Sequence, residues 1–250
     1  MFDKLKGKQT VWQIETAPYV PRIGAACDEL QPLLDRKLGP PMERLGEEST
    51  PKQAIALQAM LFGRNAVVVV DQLLDNTGLL WSQGRMVGVS GLIRFALEYW
   101  AALHYAKRTL LDLTKDGDIE KAAERCSRLL TGSRTPIALY WGGTTVLPSV
   151  NVLTMIDKLN EAHSGARGVY EYLCEASHPS FVQNLHFIIA SRTYDKHQFE
   201  EIKKVSVDVL ERTVSAVEFI AKGFAGDGAD IFRIGSEMLT NGHEEPIYPT

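Results

Sequence analysis

The chain has 250 residues, of which 45% are hydrophobic and 23% are charged, and its formal net charge is −4. This composition is that of a globular protein with a sizeable core, and it excludes the overall basic field that gathers nucleic acid or anionic lipid. The three cysteines are widely spaced and form no CxxC pair, which excludes a zinc knuckle and a disulfide framework. No uninterrupted apolar run approaches the ~18 residues of a membrane span, and no secretory signal is recognisable, so we expect a cytoplasmic protein without a membrane partner.

The N-terminal residues 1–20 are predicted to form an irregular arm ahead of the first helix. Pro21 suits the first turn of a helix, because its missing N–H would have no helical partner there. This helix is expected to end near Leu38, before Gly39. Pro32 lies inside it and predicts a kink or an early end.

The clearest helix start in the chain lies at Thr50. Thr50 caps the helix, Pro51 takes the first helical position, and Gln53 reaches back to the cap. The pattern predicts a helix through residues 54–74 that stops at the polar residues 75–78.

A long apolar helix is predicted from about Gln83 to Asp112. Ile93, Leu97, Trp100 and His104 recur at helical spacing and mark its buried stripe. We therefore interpret His104 as a core histidine that bonds to a backbone carbonyl.

Shorter elements follow this helix. Residues 116–118 predict a turn and a helix cap, and residues 119–130 an amphipathic helix closed by Gly132. Residues 133–149 contain two prolines and paired glycines, which is typical of a long loop.

Two further helices are predicted at residues 151–162 and 166–177. Gly165 divides them, and Pro179 ends the second. His163 is expected to be solvated in the turn between them.

The C-terminal part begins with an ambiguous segment, residues 185–191, which fits either a short strand or the end of a helix. An amphipathic helix is predicted over 199–224 and a short helix over 229–239. The polar residues 241–250 form a tail. The chain is thus predicted to be an all-α multi-helix bundle with one domain over 21–240.

A charged pair stands out on the long apolar helix. Arg94 and Glu98 are four residues apart and share a helix face among apolar neighbours. If the helix is buried all round, other polar groups must match this pair, because an unmatched buried charge is strongly destabilising.

A second polar group lies in the helix at 166–177. Tyr170, Cys174 and His178 fall at four-residue spacing on one stripe, and Glu175 lies at its edge. We hypothesise that Arg94, Glu98, Tyr170, Glu175 and His178 bind a small polar ligand or support a partner interface. The alternative is a buried network that fixes helix register in a purely structural bundle.

These segments resemble those of bacterial helical proteins without an assigned function. The resemblance spans residues 85–180 and rests on Arg94-x-x-x-Glu98, on residues 152–159 and on the box Tyr170-x-x-Leu173-Cys174-Glu175-x-x-His178-Pro179. Some of those proteins are distantly similar to HEPN-type helical domains, many of which are metal-independent ribonucleases of toxin and defence systems. The resemblance implies an all-helical fold and, as an alternative function, RNA cleavage.

The HEPN signature is an arginine followed four to six residues later by a histidine, and Arg192 and His197 match it with four residues between. In such a site the histidine acts as general base on the ribose 2′-OH, and the arginine stabilises the negative charge of the phosphorane. A second arrangement would use His178 and Glu175 with Arg94 and Glu98. The alternative for Arg192 and His197 is a solvated turn without a catalytic role.

No cofactor or metal is predicted. Glu175-x-x-His178 is half of a di-iron motif, but the chain lacks the second Glu-x-x-His that such a site needs. No partner is indicated by the sequence. A homodimer is compatible with a helical bundle, and RNA is a partner only under the ribonuclease alternative.

Overall fold

The structure, a computed structural model, describes residues 17–35, 49–83, 85–132, 147–178 and 196–241, and the side chains in the last segment from 207 to 240. Every regular element in these ranges is helical, which confirms the predicted all-α multi-helix bundle. A 3-10 turn, Ala17–Tyr19, precedes α1 Val20–Asp28, α2 Gln31–Leu34, α3 Pro51–Ser82, α4 Met86–Asp116, α5 Ile119–Thr131, α6 Val152–Ala162, α7 Ala166–Ser177 and α8 Lys196–Asn241. The segment predicted as strand or helix at 185–191, most of the predicted loop and the C-terminal tail lie outside the described residues.

Local capping explains where several helices begin. At α3 the Thr50 N–H donates to the side-chain oxygen of Gln53 at 2.9 Å, and the Gln53 N–H donates to the Thr50 hydroxyl at 3.3 Å, as predicted. Asp118 accepts from the Lys121 N–H at the start of α5. Asn151 caps α6 in the same way. Each such bond satisfies an N–H that has no partner within the helix.

The predicted helix over residues 21–38 is divided in the structure. α1 ends at Asp28 and α2 begins at Gln31. Pro32 explains the early end, because it has no N–H to donate to the carbonyl of Asp28.

The predicted stop at residues 75–78 is wrong, since α3 continues to Ser82. Thr77 is buried, and its hydroxyl donates to the Leu73 carbonyl one turn back at 2.8 Å. Because the polar side chain is satisfied within the helix, it does not break it. Trp81, fully buried beyond the predicted stop, extends the packed face.

The predicted division of the last helix is also wrong, because α8 runs without a break through residues 225–228. Phe224 and Ile231 are fully buried on either side of this segment. Gly228 lies close to Leu33, which a Cβ would approach to 2.6 Å. Tertiary packing therefore outweighs the low helix propensity of the glycines.

The described residues form two compact units, and the chain enters each of them several times. The first unit contains residues 17–30, 70–97, 168–178 and 196–222, and the second contains 31–35, 49–69, 98–132, 147–167 and 223–241, apart from residue 84. The first unit has a core that includes Ile23, Leu74, Trp81, Ile93, Leu173, Val214 and Ile220. The second has a core that includes Ile55, Ala59, Trp100, Leu103, Leu110, Ile156, Leu159, Ile231 and Phe232.

One helix among those described, α3, is long and apolar enough to cross a membrane by length and composition. Half of its most apolar window is buried inside the protein. Core helices of soluble proteins meet the same criterion, so the cytoplasmic location stays a prediction.

Candidate functional site

Asp227, in the second unit, is the one carboxylate that is fully buried in the described part of the chain, with 3% of its side chain exposed. It lies in α8 between Gly226 and Gly228. Burial of a carboxylate is costly unless the charge is paired and hydrogen-bonded. Its partners therefore decide what this position can do.

Three of these partners come from one face of α4. Trp100, His104 and Lys107 follow one another at spacings of four and three residues, so their side chains point in the same direction. The indole Nε1–H of Trp100 donates to Asp227 Oδ2 at 2.8 Å, and His104 Nδ1 lies 2.9 Å from the same oxygen. The ammonium of Lys107 bonds to Oδ1. The buried charge is thus matched on both oxygens.

These partners control the ionisation of Asp227. Burial alone raises the pKa of this carboxyl, but the hydrogen bonds and charges of His104 and Lys107 outweigh it and hold the pKa well below its usual range. The carboxylate is therefore ionised at neutral pH and can only accept hydrogen bonds. It follows that His104 Nδ1 carries the hydrogen that is shared with Oδ2.

The second imidazole, His163, reaches the same carboxylate from the turn between α6 and α7. Its Nε2 lies 3.5 Å from Asp227 Oδ2, and its ring packs edge-on against Trp100 at 4.9 Å and His104 at 5.5 Å between ring centres. The side chain of His163 is 30% exposed, the largest fraction in the group. We call Trp100, His104, Lys107, His163 and Asp227 the Asp227 cluster.

The backbone around His163 is fixed by its own short segment. The side-chain oxygen of Asn160 accepts from the N–H groups of Gly165 and Arg167, both at 3.1 Å. Gly165 has φ of 99°, a conformation that favours glycine. The His163 N–H donates to the Leu159 carbonyl at 2.8 Å. The turn therefore holds His163 beside α4 and α8.

A glycine on α8 makes room for the indole of the cluster. A Cβ at Gly223 would lie 1.9 Å from Cζ2 of Trp100, far inside van der Waals contact. The α8 backbone therefore packs directly on the Trp100 ring, one turn before Asp227.

The predicted partner of His104 is wrong. The ring is buried as predicted, but it bonds to the Asp227 carboxylate and not to a backbone carbonyl. Its other nitrogen, Nε2, is buried and has no hydrogen-bond partner among the described residues. The expectation of a solvated turn for His163 likewise omitted its contacts with the cluster.

The residues predicted from sequence are distributed as follows. Arg94 and Glu98 are both half-buried on α4, and Arg94 lies in the first unit whereas Glu98 lies in the second. Tyr170 is buried in α7. Glu175 and His178 are exposed, and His178 directly follows the last residue of α7. That these five residues form one site stays a prediction.

The side chains of the HEPN-like pair, Arg192 and His197, lie outside the described part of the structure. Arg192 is outside the described residues, and His197 lies in α8 within the part whose side chains are not described. The ribonuclease alternative therefore stays a prediction. RNA cleavage in EDTA that is lost in His178→Ala or in His197→Ala would support it.

Asp227 was not among the residues predicted from the sequence, although the sequence contains a pattern that indicates its burial. Val217, Ile220, Phe224, Asp227 and Ile231 follow one another at spacings of three, four, three and four residues. The aspartate thus continues the apolar stripe of a helix, the pattern that marks a buried position. The flanking glycines concealed this signal because they favour a helix break in isolation.

Neither a protein-family model, nor a curated protein, nor a solved structure matches the chain. The chemistry of the cluster is therefore inferred from its own atoms. A nitrogen of His104, a nitrogen of His163 and an oxygen of Asp227 lie within 4.8 Å of one another, a donor set that could hold a metal ion.

Proposed function

We propose that the protein is a helical binding protein and that the Asp227 cluster binds a small polar ligand. The observation that carries this proposal is the position of His163, which is 30% exposed and adjoins an ionised, buried carboxylate. Polar groups from α4, α8 and the turn between α6 and α7 thus converge on one buried carboxylate, and His163 is the partner most exposed to solvent. Perturbed and buried ionisable groups at such points are typical of functional sites.

The site predicted from sequence also consists of charged residues in apolar helices. The Asp227 cluster meets this criterion more fully, because its carboxylate is buried and Glu175 and His178 are exposed. We therefore place the ligand at the cluster.

A purely structural role explains the cluster less well. Buried ion pairs are often no more stabilising than apolar residues of similar volume, so packing alone does not require one here. In addition, His104 Nε2 is buried without a partner in the described part of the chain, and an unsatisfied buried polar atom costs about 1–3 kcal/mol. The cluster therefore carries costs that a role in stability alone does not explain.

The test is a ligand screen by thermal unfolding, with small organic acids, amines and nucleotides in EDTA and with divalent cations after its removal. The wild type is compared with His163→Ala, and Asp208→Ala is the control because Asp208 is an exposed aspartate in the first unit. A ligand at 100 times its Kd stabilises the folded protein by about 2.7 kcal/mol. We expect this stabilisation in the wild type and in Asp208→Ala, and its loss in His163→Ala. Stabilisation that persists in His163→Ala would place the ligand elsewhere.

A partner interface is a second candidate function for the sequence-predicted residues of α7. The exposure of Glu175 and His178 favours an interface over an internal pocket. If a second copy of the chain is the partner, Glu175→Lys should shift the sedimentation coefficient of a dimer to that of a monomer. An identical coefficient for both proteins would contradict self-association through this surface.

A further inference from the structure

We propose that the ligand of the Asp227 cluster is a divalent transition-metal ion, bound by Asp227 Oδ2, His104 Nδ1 and His163 Nε2. This inference rests on the proposed function, because the ion is itself the small polar ligand. It names the chemical class of that ligand and the atoms that hold it.

The distances from Oδ2 to the two imidazole nitrogens agree with a shared ion. Oδ2 lies 2.9 Å from His104 Nδ1 and 3.5 Å from His163 Nε2. In tetrahedral and octahedral sites with bonds of about 2.0–2.2 Å, neighbouring donor atoms are about 2.9–3.5 Å apart. Both distances fall in this range.

The two imidazole rings are also placed as ligands of one ion. Their centres are 5.5 Å apart and their planes are inclined by 82°. An ion about 2.1 Å from a ring nitrogen is roughly 3 Å from the ring centre, so two rings around one ion are about 5–5.5 Å apart.

Hydrogen bonding alone does not account for His163. Oδ2 has two lone pairs, and the Nε1–H of Trp100 and the Nδ1–H of His104 already use them. His163 Nε2 lies 3.5 Å from the same oxygen, too far for a strong hydrogen bond. A shared ion gives this nitrogen a partner and replaces the hydrogen between His104 and Asp227.

The proton balance of this exchange is simple. When the ion binds His104 Nδ1, the proton leaves Nδ1 for solvent and Nε2 takes one up, so the neutral ring changes tautomer with no net release of a proton. Trp100 continues to donate to Oδ2, and Lys107 continues to donate to Oδ1. Hydrogen bonds of this kind orient a ligating carboxylate.

The local charge tolerates a divalent cation in spite of Lys107. The Lys107 ammonium lies between the carboxylates of Asp227 and Asp230. One positive and two negative groups give −1 apart from the imidazoles, so the ion does not meet a net positive site.

The donor set selects the class of metal. Two imidazole nitrogens and one carboxylate oxygen suit Zn²⁺, Co²⁺, Ni²⁺, Cu²⁺ or Fe²⁺, whereas Mg²⁺ and Ca²⁺ prefer oxygen ligands. Three protein ligands leave a further coordination position for water or another ligand.

The experiment is a titration of the full chain with Zn²⁺ and Co²⁺ after treatment with EDTA and dialysis, with Mg²⁺ as the comparison ion. Heat of binding gives the affinity for Zn²⁺, and the visible absorption of Co²⁺ reports its coordination by nitrogen and oxygen. Circular dichroism establishes that each variant is folded. We expect one Zn²⁺ site in the wild type and in Asp208→Ala, with a Kd at least about 10-fold weaker in His163→Ala and no comparable Mg²⁺ binding.

Several outcomes would overturn the inference. Equal Zn²⁺ affinity of the wild type and folded His163→Ala would do so, as would a wild type that binds Zn²⁺ no more tightly than Mg²⁺. If His163→Ala does not fold, His163→Gln takes its place, since it keeps the side-chain volume closer to histidine. An organic ligand that binds in EDTA, with no Zn²⁺ site, would leave the proposed function standing and remove this inference; the absence of both would remove both.

Discussion

Each of the two units contains a cluster of charges, and the two clusters are built in opposite ways. In the first unit Arg22 binds two carboxylates: it is bidentate to Glu218 at 2.7 and 2.8 Å, and it also bonds to Glu211 at 2.7 Å. The side chains of Arg22, Glu218 and Glu211 are 35%, 40% and 48% exposed. In the second unit one buried carboxylate, Asp227, receives several donors.

Burial, more than bond length, is expected to decide how much each charge cluster contributes to the free energy of unfolding. The Arg22 bonds are short, but water screens them and solvates each partner when the other is removed. Water cannot solvate His104 in this way, because its side chain is as buried as the Asp227 carboxylate. Removal of one partner in the second cluster therefore leaves unsatisfied groups in the core.

The largest expected effect is that of Asp227→Ala. It should lower the free energy of unfolding by about 3–5 kcal/mol, because the buried donors lose their acceptor. Urea denaturation in EDTA measures this, with Asp208→Ala as the control, since Asp208 is an exposed aspartate of α8 that pairs with Arg212. Equal costs for the two variants would contradict the importance of burial.

The pH dependence of stability gives a second test of the contribution of the buried Asp227. The pKa of Asp227 is lowered in the folded protein, so its contribution to stability is present above the ordinary carboxyl pKa of ~3.9 and is lost as the pH falls through the lower, folded pKa. The difference in stability between the wild type and Asp227→Asn should therefore shrink as the pH falls below about 4. A difference that grows on acidification would have the wrong sign.

Next in size is Gly223→Ala, which tests the packing that holds Trp100 against the cluster. Its Cβ would overlap the indole, and overpacking of this kind costs about 1–3 kcal/mol. Gly226→Ala is the matched control in the same helix, because a Cβ there meets nothing within 4 Å. The control should be neutral or stabilising by up to about 1 kcal/mol in thermal or urea unfolding. Similar destabilisation by both would show that helix propensity, not contact with Trp100, limits position 223.

The smallest expected effect is that of Arg22→Ala. Exposed pairs contribute about 0.2–1 kcal/mol, and we expect a loss within this range that decreases further in high salt. Urea denaturation at low and high salt measures it. A salt-independent loss as large as that of Asp227→Ala would contradict the distinction between the two clusters.

What the sequence predicts well is what neighbouring residues determine. The starts of α3, α5 and α6 follow from side chains that cap the backbone within three residues, as Thr50 and Gln53 do. The buried stripe that contains Trp100 and His104 follows from periodicity alone.

What the sequence conceals depends on residues far apart in the chain. His104 and Asp227 are 123 positions apart, so no local pattern pairs them. Gly226 and Gly228 favour a break in isolation, and only packing against other helices keeps α8 continuous there. The apolar helical periodicity that continues through the charged residue Asp227 is the sequence feature that indicates this site.

The turn that carries His163 also affects how the site could change during evolution. Its conformation is encoded by residues 159–167, through Asn160 and the left-handed Gly165. The inner half of the site, by contrast, depends on two long helices that form the core. Under the proposed function, a substitution at position 163, for example by aspartate or cysteine, should alter ligand preference while Asn160 and Gly165 keep the turn in place.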